Sequence, residues 1–238
     1  MSEPTPLGVI PRRALVVVAH PDDAEYGTSA AVASWVEAGA EVAYLLLTTG
    51  EAGMQRSPDE VGPLRAAEQR AACDIVGVHD LTILHHPDGV LEPTLDLRRD
   101  IAREIRRFRP DTVVITTWEL VTAWGLNHAD HRAVGIATVD AIRDADNTWV
   151  FPELASDEDL PKHKVERLLV GGASDPNVGV IVDEDAVAKA VASLAAHEAY
   201  LADLPDHPAP DPFIRGMLAA GGERLGVPYA MLYREFTY

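Results

Sequence analysis

The amino-acid sequence predicts an α/β fold in which helices cover both faces of a mostly parallel sheet. Residues 14–19 (ALVVVA) form a continuous apolar run rich in β-branched side chains, which is typical of a strand buried on both faces. Similar runs follow at 41–48 and 111–118, and stretches with helical spacing of apolar residues separate them. Strands and helices that alternate in this way favour parallel pairing, because each parallel connection needs a crossover.

The remaining elements follow from the same patterns in chain order. In the first predicted helix, 26–38, apolar residues such as Ala31 and Trp35 recur at helical spacing, and Gly39 suits its end. We predict further strands at 81–84, 165–171, 178–182 and 229–236. We predict further helices at 64–76, 96–108, 133–143, 185–204 and 214–225, and loops at 51–63 and 149–160.

Composition limits the class of protein. The 238 residues carry 38 acidic and 20 basic side chains, and the net charge of −18 argues against general nucleic-acid binding. Cys73 is the only cysteine, which excludes a disulfide scaffold. No apolar run reaches the roughly 18–20 residues of a membrane span. Residues 1–13 lack the order of a signal peptide, so we expect a soluble cytoplasmic protein. We expect one domain over 1–238, with residues 1–13 as a loosely held lead-in.

A cluster of polar side chains directly follows the first predicted strand, in the segment 20–25 (HPDDAE). One histidine and two adjacent carboxylates suit a divalent metal with nitrogen and oxygen ligands. The competing interpretation is a helix start with Asp22 or Asp23 as the N-cap residue. That interpretation leaves His20 unexplained, so we favour a metal site.

A second cluster, 127–132 (NHADHR), follows the strand predicted at 111–118. Its His-x-x-His spacing can place His128 and His131 on one side of a helical turn. Both clusters follow strands of one parallel sheet, and the carboxyl ends of such strands line a common crevice. Three ligands with an open fourth position are typical of catalytic zinc. The segment 85–89 (HHPDG) either lines the same crevice or is solvated.

The two clusters together resemble a known family. AHPDDAEYG at 19–27 and NHADHRAVG at 127–135 are similar to the paired motifs of the PIG-L / LmbE-like zinc-dependent N-deacetylases. The resemblance covers at least residues 14–145 and includes TTGEAG at 48–53. It implies a Rossmann-like (LmbE-like) sheet, one Zn²⁺ per chain, and hydrolysis of an N-acyl amide.

The resemblance also implies catalytic roles. The zinc ligands would be His20, Asp23 and His131. Asp22 would be the general base that takes a proton from the metal-activated water. His128 would stabilise the oxyanion or protonate the leaving amine, with Asp130 as its orienting partner.

Substrate contacts are implied with less detail. Arg65 would face the sugar, and Glu51 and Asp88 would lie near it. The sequence departs from the family pattern at TSA (28–30), where many members have Gly-Gly-Thr, and at Ala129, where many have proline. Neither departure removes a ligand or the base.

Several functions stay open at this point. The first is an N-deacetylase that acts on a small amino-sugar substrate or glycoconjugate. The second is an amidase for another amide, such as a mycothiol S-conjugate. The third is a metal- or carbohydrate-binding protein without turnover. Intact Asp22 and His128 favour an enzyme, because a binding protein needs neither. A homo-oligomer is compatible with the sequence.

Overall fold

The computed structural model describes residues 3–238. Within this range the strands are β1 (Thr5–Pro6), β2 (Arg13–Val18), β3 (Glu41–Leu46), β4 (Asp80–Ile83), β5 (Thr112–Thr116), β6 (Val121–Thr122), β7 (Gly125–Leu126), β8 (Arg167–Gly171), β9 (Val178–Ile181) and β10 (Ala230–Thr237). The helices are α1 (Asp23–Gly27), α2 (Ser29–Glu37), α3 (Pro58–Val76), α4 (Leu95–Phe108), α5 (Ala129–Ala145), α6 (Glu153–Ser156), α7 (Glu184–Ala195), α8 (Glu198–Ala202) and α9 (Pro210–Glu223).

One large sheet organises these elements, in the strand order β1-β9-β10-β8-β5-β2-β3-β4. The strands from β8 to β4 in this order pair in parallel. Strand β10 runs antiparallel to both β8 and β9. The predicted mostly parallel sheet is therefore confirmed, with one antiparallel strand inside it.

Strand β2 shows why helices cover both faces. Its side chains alternate between the two faces, as the pleat of a strand requires. Val16 belongs to the core on one face, together with Trp35 of α2. Leu15 belongs to the core on the other face, together with Ile101 of α4 and Ala137 of α5. All five side chains are fully buried, so after Arg13 the strand is apolar instead of alternating with polar residues.

Two predicted helices are interrupted by buried polar residues. The helix predicted at 26–38 is broken between α1 and α2 at Thr28, which has φ −161° and whose hydroxyl contacts that of Tyr233. The helix predicted at 185–204 is broken between α7 and α8 at His197, whose ring is buried beside Glu25. Distant partners therefore decide where these helices stop.

Two other predictions of local structure are wrong in part. The loop predicted at 51–63 ends early, because Pro58 begins α3 at a position where its missing N–H costs nothing. The loosely held lead-in predicted for 1–13 includes β1, which pairs in parallel with β9 through Thr5 and Val178. Residues 1 and 2 lie outside the described residues.

The parallel register brings several loops to one edge of the sheet. Strand β2 pairs with β3 on one side and β5 on the other, and Val17 lies between Leu45 and Ile115. The chain leaves β2, β3, β4 and β5 at the same edge, where sites form in open parallel sheets. Among the described residues, the helices are all too short or too polar to cross a membrane.

Candidate metal and active site

A cavity of about 320 Å³ lies at this edge of the sheet and takes residues from both sequence motifs. Its lining comprises His20, Asp22, Asp23, Tyr26, Ala52, Gly53, Arg65, Asp88, Gly89, His128, His131 and Tyr200. A larger groove of about 930 Å³ is lined by Trp118, Arg143 and Tyr238 among others, and by none of the predicted site residues. We therefore place the chemistry in the smaller cavity, because the ionisable groups converge there.

His20, Asp23 and His131 form a compact set of donors. One Oδ of Asp23 lies 3.0 Å from Nε2 of His131, and the other lies 3.5 Å from Nδ1 of His20. One ligand atom from each of the three residues can be chosen so that all lie within 4.8 Å of one another. Two imidazole nitrogens and a carboxylate oxygen fit a catalytic zinc site that keeps a position open for substrate or water.

The remaining nitrogens of the two rings are held by a second set of side chains. Nε2 of His20 lies 3.0 Å from Asp88 Oδ1 and 3.1 Å from Asp130 Oδ2. Nδ1 of His131 lies 3.1 Å from Asn127 Oδ1. Such partners fix the orientation of a metal-binding imidazole. The resemblance implied that Asp130 orients His128, whereas in the structure the Asp130 carboxylate contacts His20, and we expect it to orient that ring.

We expect Asp130→Asn to weaken zinc binding by about 10- to 100-fold, as loss of a carboxylate partner of a ligand histidine commonly does. The Asp130 carboxylate also accepts the backbone N–H groups of Gly89 and Leu91, so the variant loosens that loop. Competition with a chromophoric chelator measures the affinity. Asp140→Asn, on the same helix but half-exposed, is the control. An unchanged affinity in Asp130→Asn contradicts the orienting role.

The charges around the donor set also suit a cation. Burial alone would lower the pKa of His20, but the carboxylates of Asp23, Asp130 and Asp88 outweigh it and raise that pKa to about 12. Burial alone would raise the pKa of Asp23, but His131 and His20 hold it well below its usual range. Without a metal, a proton on His20 therefore balances the surrounding carboxylates. A divalent cation can take over that role when the ring loses its proton.

Zinc binding is consequently expected to strengthen as the pH rises. Because the raised pKa keeps His20 protonated across neutral pH, zinc must displace that proton, and affinity increases by about tenfold per pH unit for each proton displaced. Chelator competition at pH 6, 7 and 8 measures the slope. Calorimetry in two buffers with different ionisation enthalpies counts the protons released. A flat profile, or binding without proton release, contradicts the protonated metal-free site.

Asp22 lies beside this donor set in an unusual backbone conformation. Its φ of 89° is in the left-handed region, which is uncommon for a residue other than glycine. Although it precedes α1 as the N-cap residue, its side chain caps no backbone N–H. Its Oδ1 instead lies 3.2 Å from the Arg65 guanidinium. Burial raises the pKa of the Asp22 carboxyl to about 7, against the opposing effect of Arg65. A carboxylate with that pKa can take up a proton at neutral pH.

His128 faces the donor set from the start of α5. Its ring centroid lies 5.4 Å from that of His20 and 5.5 Å from that of His131. Its Nδ1 accepts the backbone N–H of Asp130 at 3.3 Å. Burial, helped by His20, lowers the pKa of His128 and favours the neutral ring. Because Nδ1 is an acceptor, the neutral ring carries its proton on Nε2 and can donate there.

The predicted substrate residues mainly make hydrogen bonds that hold the loops around the cavity. Arg65 is almost fully buried, and its guanidinium donates to the carbonyls of Pro21 and Gly50. Glu51 accepts the backbone N–H of Asp88 at 3.0 Å, and Asp88 accepts that of Ala52 at 2.7 Å. These reciprocal bonds join the loops after β3 and β4. Arg65 and Asp88 line the cavity, whereas Glu51 is not part of its lining.

Sequence reasoning missed two tyrosines in the cavity wall. Tyr200 of α8 lies with its ring 3.8 Å from the Arg65 guanidinium carbon. The hydroxyl of Tyr26 contacts Nε2 of His207 at 2.7 Å. Contacts that span more than a hundred residues leave no local pattern, so no motif pointed to Tyr200.

Comparisons with known proteins agree with this arrangement. The family model for PIG-L, described as GlcNAc-PI de-N-acetylase, matches residues 15–142, which is more than half of the chain. A 1D-myo-inositol 2-acetamido-2-deoxy-alpha-D-glucopyranoside deacetylase of Kineococcus radiotolerans is 35% identical over 166 residues, covering 56% of this chain and 45% of that protein. A diacetylchitobiose deacetylase of Thermococcus kodakarensis is 30% identical over 134 residues, covering 55% and 49%. The matched part of the chain thus spans about half the length of these relatives.

The fold is also found in a solved structure. The N,N'-diacetylchitobiose deacetylase of Pyrococcus horikoshii superposes with a TM-score of 0.82 at 22% identity, covering 95% of this chain and 84% of that one. This likeness confirms the LmbE-like arrangement of sheet and helices. With the family model matched across both motifs and the strands that carry them, the chain belongs to the PIG-L family.

Proposed function

We propose that this protein hydrolyses the N-acetyl amide of an amino sugar or of its conjugate, with one Zn²⁺ per chain. The observation that carries the proposal is the position of Asp22, a buried carboxyl with a pKa near neutrality beside His20, Asp23 and His131. A protein that only binds metal has no need of such a proton acceptor. The relatives named above act on N-acetylated glucosamine derivatives, which supports this substrate class.

His20, Asp23 and His131 would hold the zinc. When bound, zinc polarises an amide carbonyl and lowers the pKa of water from 15.7 to about 7. Asp22 accepts the proton that the attacking water loses. The Nε2–H of neutral His128 would donate a hydrogen bond to the oxygen on which negative charge develops. The leaving amine would receive the proton that Asp22 has taken from water, or a proton from His128 when its ring is in the imidazolium form. Arg65 holds the Asp22 carboxylate in place at 3.2 Å.

The cavity suits a substrate with one sugar ring inside it. Its volume of about 320 Å³ lies at the lower end of the range for small-molecule sites. The tyrosine rings of Tyr26 and Tyr200 offer apolar surface next to the polar groups, a combination that matches the faces and hydroxyls of a sugar. The rest of the conjugate would extend from the open side near His128, whose side chain is exposed.

A single set of measurements tests the proposal. Zinc is quantified in the purified protein, and acetate release is followed from an N-acetylglucosaminyl inositol and from diacetylchitobiose, with and without a chelator. We expect about one zinc per chain and acetate release that chelation abolishes and zinc restores. Release of an amine from a thiol-conjugate amide, without acetate from either sugar, would favour the amidase alternative. Zinc binding without turnover of any amide would favour a binding protein.

A further inference from the structure

Behind Asp22, four buried polar residues form a cluster that the proposed mechanism does not use. Glu25 of α1 is 1% exposed, and Gln69, Ser193 and His197 are fully buried. The Glu25 carboxylate lies 3.3 Å from Ser193 Oγ and 3.4 Å from His197 Nε2. The side-chain amide nitrogen of Gln69 lies 3.3 and 3.4 Å from its two oxygens. Every one of these neighbours can donate a hydrogen bond, which suits a carboxylate that only accepts them.

Gln69 connects this cluster to Asp22. Its Oε1 accepts the backbone N–H of Asp22 at 2.9 Å. That N–H belongs to the residue with φ of 89°, whose backbone conformation needs support from its surroundings. No other hydrogen-bond partner of this N–H is present among the described residues. Gln69 therefore stabilises the turn that directs the Asp22 side chain into the cavity.

Glu25 determines which way the Gln69 amide points. Because a carboxylate only accepts hydrogen bonds, the Gln69 amide must present its nitrogen to Glu25. Its oxygen then faces the N–H of Asp22. The reverse orientation would set oxygen against the Glu25 carboxylate and nitrogen against the Asp22 N–H, leaving buried groups unsatisfied on both sides. The identity of residue 25 thus controls a hydrogen bond at residue 22.

We infer that Glu25 is a positioning residue, which orients the Gln69 amide and thereby holds the backbone of Asp22 in its catalytic conformation. The inference rests on the proposed function, in which Asp22 is the proton acceptor. It also assigns a role to the chain beyond the family match at 15–142, because Ser193 donates a hydrogen bond to the Glu25 carboxylate from the other side and His197 lies 3.4 Å from it.

The test uses isosteric variants of the full-length, zinc-loaded protein. Gln69→Met removes both bonds and keeps the length of the side chain. Glu25→Gln keeps the shape but no longer dictates the direction of the amide. Gln69→Glu places two carboxylates against each other. The double variant Glu25→Gln, Gln69→Glu restores one amide and one carboxylate in exchanged positions, so that residue 69 again accepts from Asp22 and residue 25 donates to it.

Two readouts separate positioning from stability. Hydrogen exchange of the Asp22 amide, relative to that of Val16 in β2, reports the Gln69 bond directly and needs no substrate. We expect this exchange to quicken by about tenfold in Gln69→Met, the equivalent of one lost hydrogen bond, and by a smaller factor in Glu25→Gln, where the Gln69 amide can still face the Asp22 N–H part of the time. We expect kcat to fall by about 10- to 100-fold, as a misplaced catalytic group does, with KM and zinc content unchanged. The double variant should recover both readouts relative to Gln69→Glu.

Thr138→Val is the matched control, because Thr138 is fully buried on α5 and its hydroxyl has no hydrogen-bond partner within residues 3–238. A purely structural role for the cluster predicts faster exchange at Val16 as well as Asp22, a lower Tm, and no recovery in the double variant. That result, or unchanged Asp22 exchange and kcat in Gln69→Met, overturns the inference. If the wild-type protein hydrolyses no amide, the proposed function fails, and the exchange data alone decide whether Glu25 positions Asp22.

Discussion

Replacing Asp22 by asparagine is expected to lower kcat by about 10³-fold, within the range that a lost general base costs. Asparagine has nearly the same shape and can still accept a hydrogen bond from Arg65, which lies 3.2 Å from the Asp22 carboxylate. It cannot take up a proton. Because His20, Asp23 and His131 are untouched, zinc content should not change. The separation of activity from metal binding is what distinguishes a base from a ligand.

The measurement pairs steady-state kinetics with zinc analysis of the same sample. Asp111→Asn is the control, because the Asp111 carboxylate accepts the backbone N–H groups of Arg12 and Arg13 at the opposite edge of the sheet. That variant should keep the wild-type kcat. If Asp22→Asn keeps full activity, another group accepts the proton. If it loses zinc together with activity, Asp22 belongs to the ligand set.

Replacing His131 by alanine is expected to remove both zinc and activity. The variant loses one of three donors and leaves the Asp23 carboxylate without the ring nitrogen 3.0 Å away. We expect zinc affinity to fall by more than the 10- to 100-fold that an outer partner costs, by at least about 10³-fold. Without the metal to polarise the amide carbonyl, kcat/KM should fall at least as far.

Added zinc provides the discriminating measurement for His131→Ala. Activity that returns at high zinc concentration indicates weakened binding at an intact site, as expected for a lost ligand. His79→Ala replaces an exposed histidine outside the cavity and should bind zinc as the wild-type protein does. Retention of full zinc affinity in His131→Ala would remove this residue from the ligand set. Circular dichroism of both variants confirms that the fold is kept.

The expected effects of the Asp22 and His131 substitutions depend on a site at the edge of the central sheet, and most of that sheet could be predicted from the sequence. The runs 14–19, 41–48 and 111–118 are apolar in most of their positions because β2, β3 and β5 are largely buried on both faces. Burial on both faces produces a run of apolar residues, which is visible in the sequence of the strand itself. The two motifs follow β2 and β5, which are neighbours in the sheet, so their meeting at one edge also follows from parallel pairing.

The partners of individual side chains could not be predicted in the same way. The family resemblance implied that Asp130 orients His128, two residues away. The Asp130 carboxylate instead contacts His20, which is 110 residues distant. The resemblance implied that Arg65 faces the sugar; it does line the cavity, but its contacts with Asp22 and Tyr200 were not predicted. A charged side chain can pair with any of several nearby groups. Its actual partner depends on the three-dimensional positions of distant residues, which the spacing of residues within a motif does not reveal.

By itself, therefore, the sequence determined the alternation of strands and helices, the two faces of the core, and the residue types gathered at the carboxyl edge. These features arise from burial and short-range geometry, which repeat along the chain. Only the tertiary structure decided that the helix predicted at 185–204 is interrupted near His197, that Tyr200 lines the cavity, and that Gln69 joins Glu25 to Asp22. Each of these features depends on hydrogen bonds or packing between segments that are distant in the sequence. These contacts form only when the helices pack against the sheet.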